Sequence, residues 1–580
     1  MTDAKASTVT PVKLLRVDMT QMRVEATALP EQWSLLGGRA LTARILLEEC
    51  DATCDPLGPD NILIFAGGVL GGTAAPTSGR LSVGAKSPLT QGIKEANAGG
   101  NPAQHLAKLG FRGIVVTGQP ADPAARFGLE VDEQGARLVA ADDLKGLWTY
   151  ATCERLTQRY SKTASFICCG PAGEHRLGGA SVACTDQDNR YPARHASRGG
   201  MGAVMGAKGL KFVALEPGKT KLRKAVQHKE FLAFCKRFTR DYQDGPQPFA
   251  VGTAVGVTFS NSIHSLPYRN RISGQSPDVD TLDGNLIQAS FEERGGGMHN
   301  CLTGCIVRCT NTVHDAEGEY KTSALEFETM ALLGANCGVK HWDDVADLDR
   351  LCDEVGLDTI ETGAAIGVLM DAGKMDWGDV NSMKALFEEI SEGTELGRII
   401  GGGAAATGRY TGHPRVPTVK GQAIAAWDPR PLKATGVTYA SSAMGADHTA
   451  GLVLIPGVPV EDCARLSQES QLVSAICDGS GFCEFIAPSS DDIRTLYGFV
   501  LGREVSREEI ADHGWQILED EWEFNRRAGF TEADDVLPEC MLSDPIGPER
   551  EVFDLPAEVI ADAKVRKPLG PEFFDKKAVG

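Results

Sequence analysis

The densest group of chemically active side chains is a set of cysteines. Three of them stand in nine residues, Cys301-Leu-Thr-Gly-Cys305-Ile-Val-Arg-Cys309, and a fourth follows far downstream in Asp478-Gly-Ser-Gly-Phe-Cys483. Three closely spaced thiolates and one distant thiolate are typical of a 4Fe–4S cluster, in which each iron takes one soft ligand. We therefore predict Cys301, Cys305, Cys309 and Cys483 as cluster ligands. Structural zinc, which usually takes pairs of closely spaced ligands, and four unrelated buried thiols remain the alternatives.

A series of glycine-rich turns carries cationic and amide groups through the first hundred residues. Gly37-Gly38-Arg39, the run 75–80 ending in Arg80, Ser87-Pro-Leu-Thr90 and Asn97-Ala-Gly-Gly100 belong to it. Glycine lets backbone N–H groups approach a ligand, and arginine binds phosphate with two hydrogen bonds. An anionic cofactor is the functional interpretation, and ordinary sheet turns are the alternative. The later run 194–208 is also rich in arginine and glycine but does not follow the dinucleotide-binding fingerprint, so no Rossmann fold is predicted.

One pattern, Asp-x-x-Gly followed by Leu or Phe and then Asp or Cys, occurs twice. The copies are Asp353-Glu-Val-Gly-Leu357-Asp358 and Asp478-Gly-Ser-Gly-Phe-Cys483. Asp358 and Glu361 also have the spacing of a capping box at the start of a helix. A pterin ring needs acceptors for its N–H groups, so two such turns favour two pterins. Helix capping alone is the alternative for either copy.

The remaining candidates for chemistry are two carboxylates and an imidazole. Glu326-Phe-Glu328 follows the cysteine triplet, and His448 stands in the run GADHTAGL. Beside a buried metal they could serve as general base and hydrogen-bond donor. Taken singly, a glutamate on a helix surface and a satisfied core histidine are the alternatives.

The elements that must position these residues change in character along the chain. Short β-rich runs punctuated by Gly and Pro fill residues 11–130, and further runs lead to residue 216. Beyond that point apolar residues recur with helical spacing, as in SALEFETMALLGANC and TIETGAAIGVLMDAG. Strands first and helices later indicate an α+β fold. We predict a β-rich N-terminal domain over 1–216, helical domains over 217–415 and 416–580, and a surface-wrapping tail over 536–580.

Composition limits the classes of function. The 580 residues carry a formal net charge of −20, and 42% are hydrophobic, which predicts a globular chain of two or three domains. This charge argues against nucleic acid and anionic membranes as partners, because both need clustered basic residues. The first residues do not have the pattern of a secretory leader and no run is long enough to span a membrane, so we expect a cytoplasmic protein. Sixteen cysteines favour metal or redox chemistry in that compartment.

These motifs together resemble the aldehyde ferredoxin oxidoreductase family, from Gly37-Gly38-Arg39 to the closing Phe524-Asn-Arg and Leu537-Pro538. The resemblance implies a tungsten or molybdenum atom between two pyranopterins, a neighbouring 4Fe–4S cluster, and a Mg²⁺ ion bridging the pterin phosphates. Matched by motif, the residues that look like pterin or phosphate contacts are Arg80, Asn97, Gly99, Arg194, His195 and Ser197. Those that look like the two pterin-binding turns are Asp353, Leu357, Asp358 and Asp478. Glu326 and His448 look like the active-site pair.

The sequence departs from the family pattern at three places. The first two cysteines are separated by three residues rather than two, Glu-Tyr-Glu reads Glu-Phe-Glu, and His195 and Ser197 replace smaller residues. Of the two glutamates, the prediction favours Glu326 over Glu328 as the one that faces the metal.

The resemblance implies oxidation of an aldehyde to a carboxylic acid, with electrons passing through the cluster to ferredoxin or a ferredoxin-like subunit. It also allows a homodimer. Two alternatives stay open within enzymes, reduction of carboxylic acids and reduction of aromatic acyl-CoA thioesters as in class II benzoyl-CoA reductase. A structural or binding protein without cofactors is a third.

Overall fold

The N-terminal part is built around two six-stranded sheets. A computed structural model of the chain describes residues 12–577. The first sheet has the order β2-β1-β6-β3-β4-β5 and the second β11-β10-β9-β12-β7-β8. The strands are β1 Lys13–Asp18, β2 Arg23–Ala28, β3 Leu63–Gly67, β4 Leu81–Lys86, β5 Ile93–Ala98, β6 Phe111–Thr117, β7 Phe127–Asp132, β8 Gly135–Ala140, β9 Ser165–Cys169, β10 Val182–Cys184, β11 Arg194–Ala196 and β12 Leu210–Leu215.

Most strand pairs are antiparallel, whereas β1 with β6 and β7 with β12 are parallel. Side chains of both sheets, including Phe65, Val83, Ile167 and Val213, share one apolar core. Five helices complete this part: α1 Gly38–Glu49, α2 Pro102–Lys108, α3 Thr149–Arg159, α4 Pro171–Glu174 and α5 Met201–Ala207. The central helix α1 is buried along most of its length and packs against β4 and against helices of the C-terminal part.

The rest of the chain is mostly helical, with a three-stranded sheet and a two-residue hairpin. The strands are β13 Gly296–His299, β14 Thr310–His314, β15 Tyr320–Ser323, β16 Thr418–Val419 and β17 Gln422–Ala423. The helices are α6 His228–Asp244, α7 Gly256–Ser262, α8 Gly284–Arg294, α9 Phe327–Thr329, α10 Trp342–Val355, α11 Thr359–Asp371, α12 Val380–Glu392, α13 Glu395–Gly401, α14 Ala404–Thr411, α15 Lys433–Ser441, α16 Val460–Ser480, α17 Ser490–Leu501, α18 Arg507–Arg527, α19 Glu539–Ser543 and α20 Ala557–Asp562.

The predicted α+β class is confirmed, with a sheet-rich N-terminal region followed by a mostly helical part. Strand β5 places Asn97 in a strand rather than in the predicted turn. Its Lys94 and Glu95 are 1% and 3% exposed, so two charged residues interrupt the apolar pattern of a buried strand. The division into three domains, with boundaries after residues 216 and 415, stays a prediction.

The C-terminal segment packs onto the helical part through Phe573 and Phe574, which join the apolar cluster of α17 and α18. Residues 578–580, the last of the predicted tail, lie outside the described residues. Within residues 12–577, none of the helices has both the length and the apolar composition that crossing a membrane requires.

Candidate active site

The four predicted cluster cysteines come from two segments that meet at Thr77. Residues 301–309 form the loop between β13 and β14, and Cys483 follows the end of α16. The backbone N–H of Thr77 donates to the Gly304 carbonyl, its hydroxyl accepts from the Ile306 N–H, and its carbonyl accepts from the Cys483 N–H. Thr77 has a φ of +56°, in the left-handed region, which turns its backbone toward both segments. One residue therefore fixes the fourth cysteine beside the triplet.

The neighbouring thiols influence one another's pKa values. The interaction with Cys301 lowers the pKa of the Cys305 thiol. Burial raises the pKa of Cys309, and the charges of Glu326, Cys301 and Cys483 add to the shift. Burial also raises the pKa of Cys483 to about 11. Four thiols this close and this buried need cationic partners to ionise together.

The donor set fits a cluster better than a single ion. Within the described residues 12–577, no three His, Cys, Asp or Glu side chains are arranged to hold one metal ion. A cubane differs, because each thiolate binds a different iron and the ligands stand farther apart than around one zinc. Gly99 leaves room at the cluster site, since a Cβ there would lie 3.1 Å from the Cys301 Sγ.

Arg80 contacts the second Asp-x-x-Gly turn, since its backbone N–H donates to the Gly481 carbonyl at 3.1 Å. It donates to the side chain of Asn97 and, at 3.3 Å, to the Asn97 carbonyl. Burial lowers the pKa of its guanidinium, but the charges of Cys483, Cys301 and Asp478 outweigh burial and raise it. Arg80 therefore connects the candidate cluster site with the candidate pterin site.

The two Asp-x-x-Gly turns have the same architecture. Each aspartate lies in the last turn of a helix, α10 or α16, which ends at a left-handed glycine, Gly356 with φ +81° or Gly481 with φ +87°. At the first turn, Leu357 is buried and Asp358 caps α11 by accepting from the Ile360 N–H at 3.0 Å. Glu361 does not complete a capping box, because it accepts from the N–H groups of Ala404 and Ala423 instead.

Polar atoms without partners remain at both turns. Asp353 Oδ1 lies 3.1 Å from His195 Nε2, while Asp353 Oδ2 is buried without a hydrogen bond. Asp478 lies 3.5 Å from Arg39 Nη1, which also has no hydrogen bond. Burial raises the pKa of Asp478, and Glu95 and Glu484 add to it. Orphaned donors and acceptors of this kind fit a polar, anionic cofactor with N–H groups of its own.

Strand β11 presents Arg194, His195 and, just after it, Ser197. Arg194 pairs with Asp186 at 3.0 Å, lies 3.7 Å from Glu326, and has one buried N–H group without a partner. His195 Nδ1 lies 2.7 Å from the Ser181 hydroxyl, and Asp353 raises the His195 pKa against the effect of burial. Ser197 is partly buried, and its hydroxyl lies 3.5 Å from the His195 carbonyl.

The two glutamates have different surroundings. Glu326 accepts from the Thr253 hydroxyl and faces Arg194, on the side of the cysteines. Glu328 accepts from the Ala426 N–H at 2.7 Å through Oε2, and its Oε1 lies 3.8 Å from His448 Nδ1. Neither Oε1 nor Nδ1 has a hydrogen-bond partner within the described residues. His448 has no ion pair of 4.0 Å or less with Glu326 in residues 12–577, so the structure places His448 beside Glu328.

Sequence reasoning missed the buried ion pair that supports His448. Asp447 is buried and pairs with Lys94 of β5 and, at 3.8 Å, with Arg198. Burial would raise the pKa of Asp447, but Lys94 and Arg198 hold it well below its usual range. Arg198 lay in the glycine run noted in the sequence; Lys94 gave no local signal, because its partner is 353 residues away.

Two family models together match most of the chain. Residues 14–217 match the family model "Aldehyde ferredoxin oxidoreductase, N-terminal domain", and residues 233–562 match the model for its domains 2 and 3. The tungsten-containing aldehyde ferredoxin oxidoreductase of Pyrococcus furiosus is 31% identical over 90% of this chain and 89% of its own length. That of Thermococcus kodakarensis is 31% identical over 93% of each.

A solved structure shares the fold. The active-site complex of benzoyl-coenzyme A reductase with 1,5-dienoyl-CoA has a TM-score of 0.81 and 18% identity, covering 95% of this chain and 93% of that one. The family models and the named relatives show that the chain is an oxidoreductase. It belongs to the aldehyde ferredoxin oxidoreductase family.

Proposed function

We propose that this chain oxidises aldehydes to carboxylic acids at a tungsten or molybdenum bis-pterin centre and passes the electrons through a 4Fe–4S cluster. The observation that carries the proposal is that Thr77 holds the cysteine loop and Cys483 together, while Arg80 donates its backbone N–H to the Gly481 carbonyl of the second Asp-x-x-Gly turn at 3.1 Å. The short segment 77–80 thus links the four candidate thiolates to one of the two matching turns. Relatives named as tungsten-containing aldehyde ferredoxin oxidoreductases support the choice of metal and substrate.

The residues of the two turns would hold the cofactor. Asp353 and Asp478 would accept from the pterin N–H groups, while Arg194 and Arg80 would bind its anionic groups. A Mg²⁺ ion between the pterin phosphates is part of the same proposal. When bound, the metal centre supplies the two-electron redox chemistry of the oxidation, and the cluster supplies a one-electron exit.

Glu328 and His448 are the pair that we propose for the substrate. The sequence favoured Glu326 for this role, but the geometry favours Glu328, because its free Oε1 faces the free Nδ1 of His448 at 3.8 Å. His448 would donate to the aldehyde oxygen, and Glu328 would take the proton of the attacking water. Glu326, bound by Thr253 and facing Arg194, would position that arginine.

The electron carrier balances the reaction, because it accepts the two electrons that the aldehyde loses. An aldehyde and water give a carboxylic acid, two protons and two electrons, and two oxidised one-electron carriers accept these electrons in turn. Reduction of carboxylic acids or of aromatic acyl-CoA thioesters remains the alternative. The benzoyl-CoA reductase complex shares the fold at 18% identity, so the fold does not separate the two reactions.

The test is aldehyde-dependent reduction of a viologen dye by anaerobically purified enzyme, with the carboxylic acid measured as product. Glu328→Gln is expected to lower kcat by about a hundredfold or more, the usual effect of losing a general base. Glu326→Gln should change kcat less. No aldehyde-dependent reduction, together with turnover of an aromatic acyl-CoA by chemically reduced enzyme, would replace this proposal with the reductase.

A further inference from the structure

A basic segment joins the two halves of the chain. Lys219, Lys221 and Lys224 are exposed, in a protein whose formal net charge is −20. Two apolar side chains stand among them, Leu222 at 43% and Val226 at 40% exposure. Residues 218–232 lie between the two matched family segments, 14–217 and 233–562.

A cationic cleft adjoins the segment. It has a volume of about 240 Å³, and its lining includes Lys108, Lys162, Arg190 and Thr220. Gly72 connects the cleft to the segment, since its carbonyl accepts from the Arg223 N–H and a Cβ on it would lie 3.4 Å from the Lys108 backbone nitrogen. We call the six residues Lys108, Lys162, Arg190, Lys219, Lys221 and Lys224 the basic face.

The basic face lies next to the candidate cluster site. Asn101, which lines the cleft, accepts from the N–H and the hydroxyl of Thr303 at 2.9 and 3.0 Å. Gln187, also in the lining, donates its N–H to the Cys301 carbonyl at 3.2 Å. Thr303 and Arg308 of the cysteine loop are themselves exposed. A protein bound at this face would therefore touch the loop that carries three of the four cysteines.

In the part of the chain that the structure describes, the six cations of the basic face are not engaged in close ion pairs, although Glu216 lies nearby, where it accepts from the Ser161 N–H. Within residues 12–577, none of its six side chains forms an ion pair of 4.0 Å or less. Of the neighbouring acids, Asp186 is buried and already paired with Arg194 and His299, and Asp188 and Glu133 are exposed. The face remains cationic, whereas the molecule as a whole is strongly acidic.

We propose that the basic face is the docking site of a small acidic electron-carrier protein. This inference rests on the proposed function, which needs an acceptor that takes one electron at a time. Complementary charge raises the rate of encounter, and a small apolar centre with a charged rim suits a transient redox complex. The carrier docks in its oxidised form, accepts one electron from the cluster, and leaves reduced. Nucleic acid is disfavoured, because the rest of the acidic surface repels a long polyanion.

The experiment reverses the charge of three lysines in the holoenzyme. The variant is Lys219→Glu with Lys221→Glu and Lys224→Glu. The matched control makes the same change at three exposed lysines on other elements, Lys145, Lys340 and Lys374. An acidic ferredoxin is titrated against each protein by calorimetry, and its reduction is compared with that of a viologen dye. If charge reversal prevents folding, the variant Lys219→Ser with Lys221→Ser and Lys224→Ser is measured in its place.

The expected result is a Kd and a KM for ferredoxin raised about tenfold or more at low salt, with the difference shrinking at high salt. Dye reduction and the control variant should stay unchanged. An unchanged Kd, an equal loss of dye reduction, or loss of binding to short single-stranded DNA without loss of ferredoxin binding would overturn the proposal. Since calorimetry needs no substrate, a failed aldehyde assay with charge-dependent ferredoxin binding would refute the proposed function alone.

Discussion

At the scale of single residues, the cysteines make the sharpest prediction. Replacing Cys309 with alanine should lower the iron content below four per chain, because one iron loses its thiolate. Cys235 provides a matched control, since it is buried in the same apolar cluster but lies on α6, away from the triplet. Cys235→Ala should keep all the iron. Full iron in Cys309→Ala, measured on folded and anaerobically purified protein, would remove Cys309 from the ligand set.

The spacing of the cysteines predicts which four belong together, because a cluster dictates the type and number of its ligands; this ligand set stays a prediction. Thr77 could not be predicted. Its role depends on a left-handed φ and on three backbone hydrogen bonds to two distant segments, none of which appears in a local pattern. The choice between Glu326 and Glu328 stays a prediction for the same reason, because Glu326 precedes and Glu328 lies within the same short helix, and only tertiary contacts distinguish them.

At the scale of elements, the start of α11 predicts a dependence of stability on pH. Burial raises the pKa of Glu361 from its ordinary 4.5 to about 7. Between these two pKa values the folded chain holds a proton that the unfolded chain has lost. Binding of this proton stabilises the folded chain at low pH, and the stabilisation is lost as the pH rises through about 7. A shift of this size corresponds to about 3 kcal/mol.

Glu361→Gln should remove this dependence of the free energy of unfolding on pH. Guanidinium titrations between about pH 5 and pH 8 would measure it, with Glu395→Gln, an exposed glutamate in the first turn of α13, as the control. Equal slopes in the native chain and in Glu361→Gln would contradict the account.

Elements with continuous apolar runs were predictable from the sequence. β3 and α11 are buried over nearly all their residues, and the apolar residues that fill their sequences indicate this burial. β5 was hidden because Lys94 and Glu95 occupy buried positions, and Lys94 is satisfied by Asp447 in a distant loop. The predicted cap at Asp358 exists, whereas its expected partner Glu361 binds two other backbone segments.

At the scale of the whole molecule, one buried ion pair joins the N-terminal part to the C-terminal helices. Arg39 of α1, 1% exposed, makes two hydrogen bonds of 2.7 and 2.9 Å to Glu521 of α18. Glu521→Gln would remove the carboxylate that accepts both hydrogen bonds of this buried guanidinium and leave Asp478, 3.5 Å from Arg39, as the nearest acid; breaking a buried pair in this way typically costs about 3–5 kcal/mol. Thermal unfolding should show a clear loss of stability.

Glu523 of the same helix is the control. It pairs with Arg526 and Arg527 at the surface, where such pairs contribute little. Glu523→Gln should unfold at the same temperature as the native chain. If Glu521→Gln and Glu523→Gln lose similar amounts of stability, burial of the ion pair does not decide how much stability its loss costs. Composition predicted the size and class of the molecule, but no sequence pattern could pair two residues 482 positions apart.

The central claim, a pterin-bound metal beside a four-thiolate cluster, is tested most directly by metal analysis of anaerobically purified protein. Tungsten, molybdenum, iron and zinc are measured per chain. The account predicts about one tungsten or molybdenum and about four irons, as one bis-pterin centre and one cubane require. Zinc alone, or protein that binds none of these metals after expression with the cofactor supplied, would contradict it.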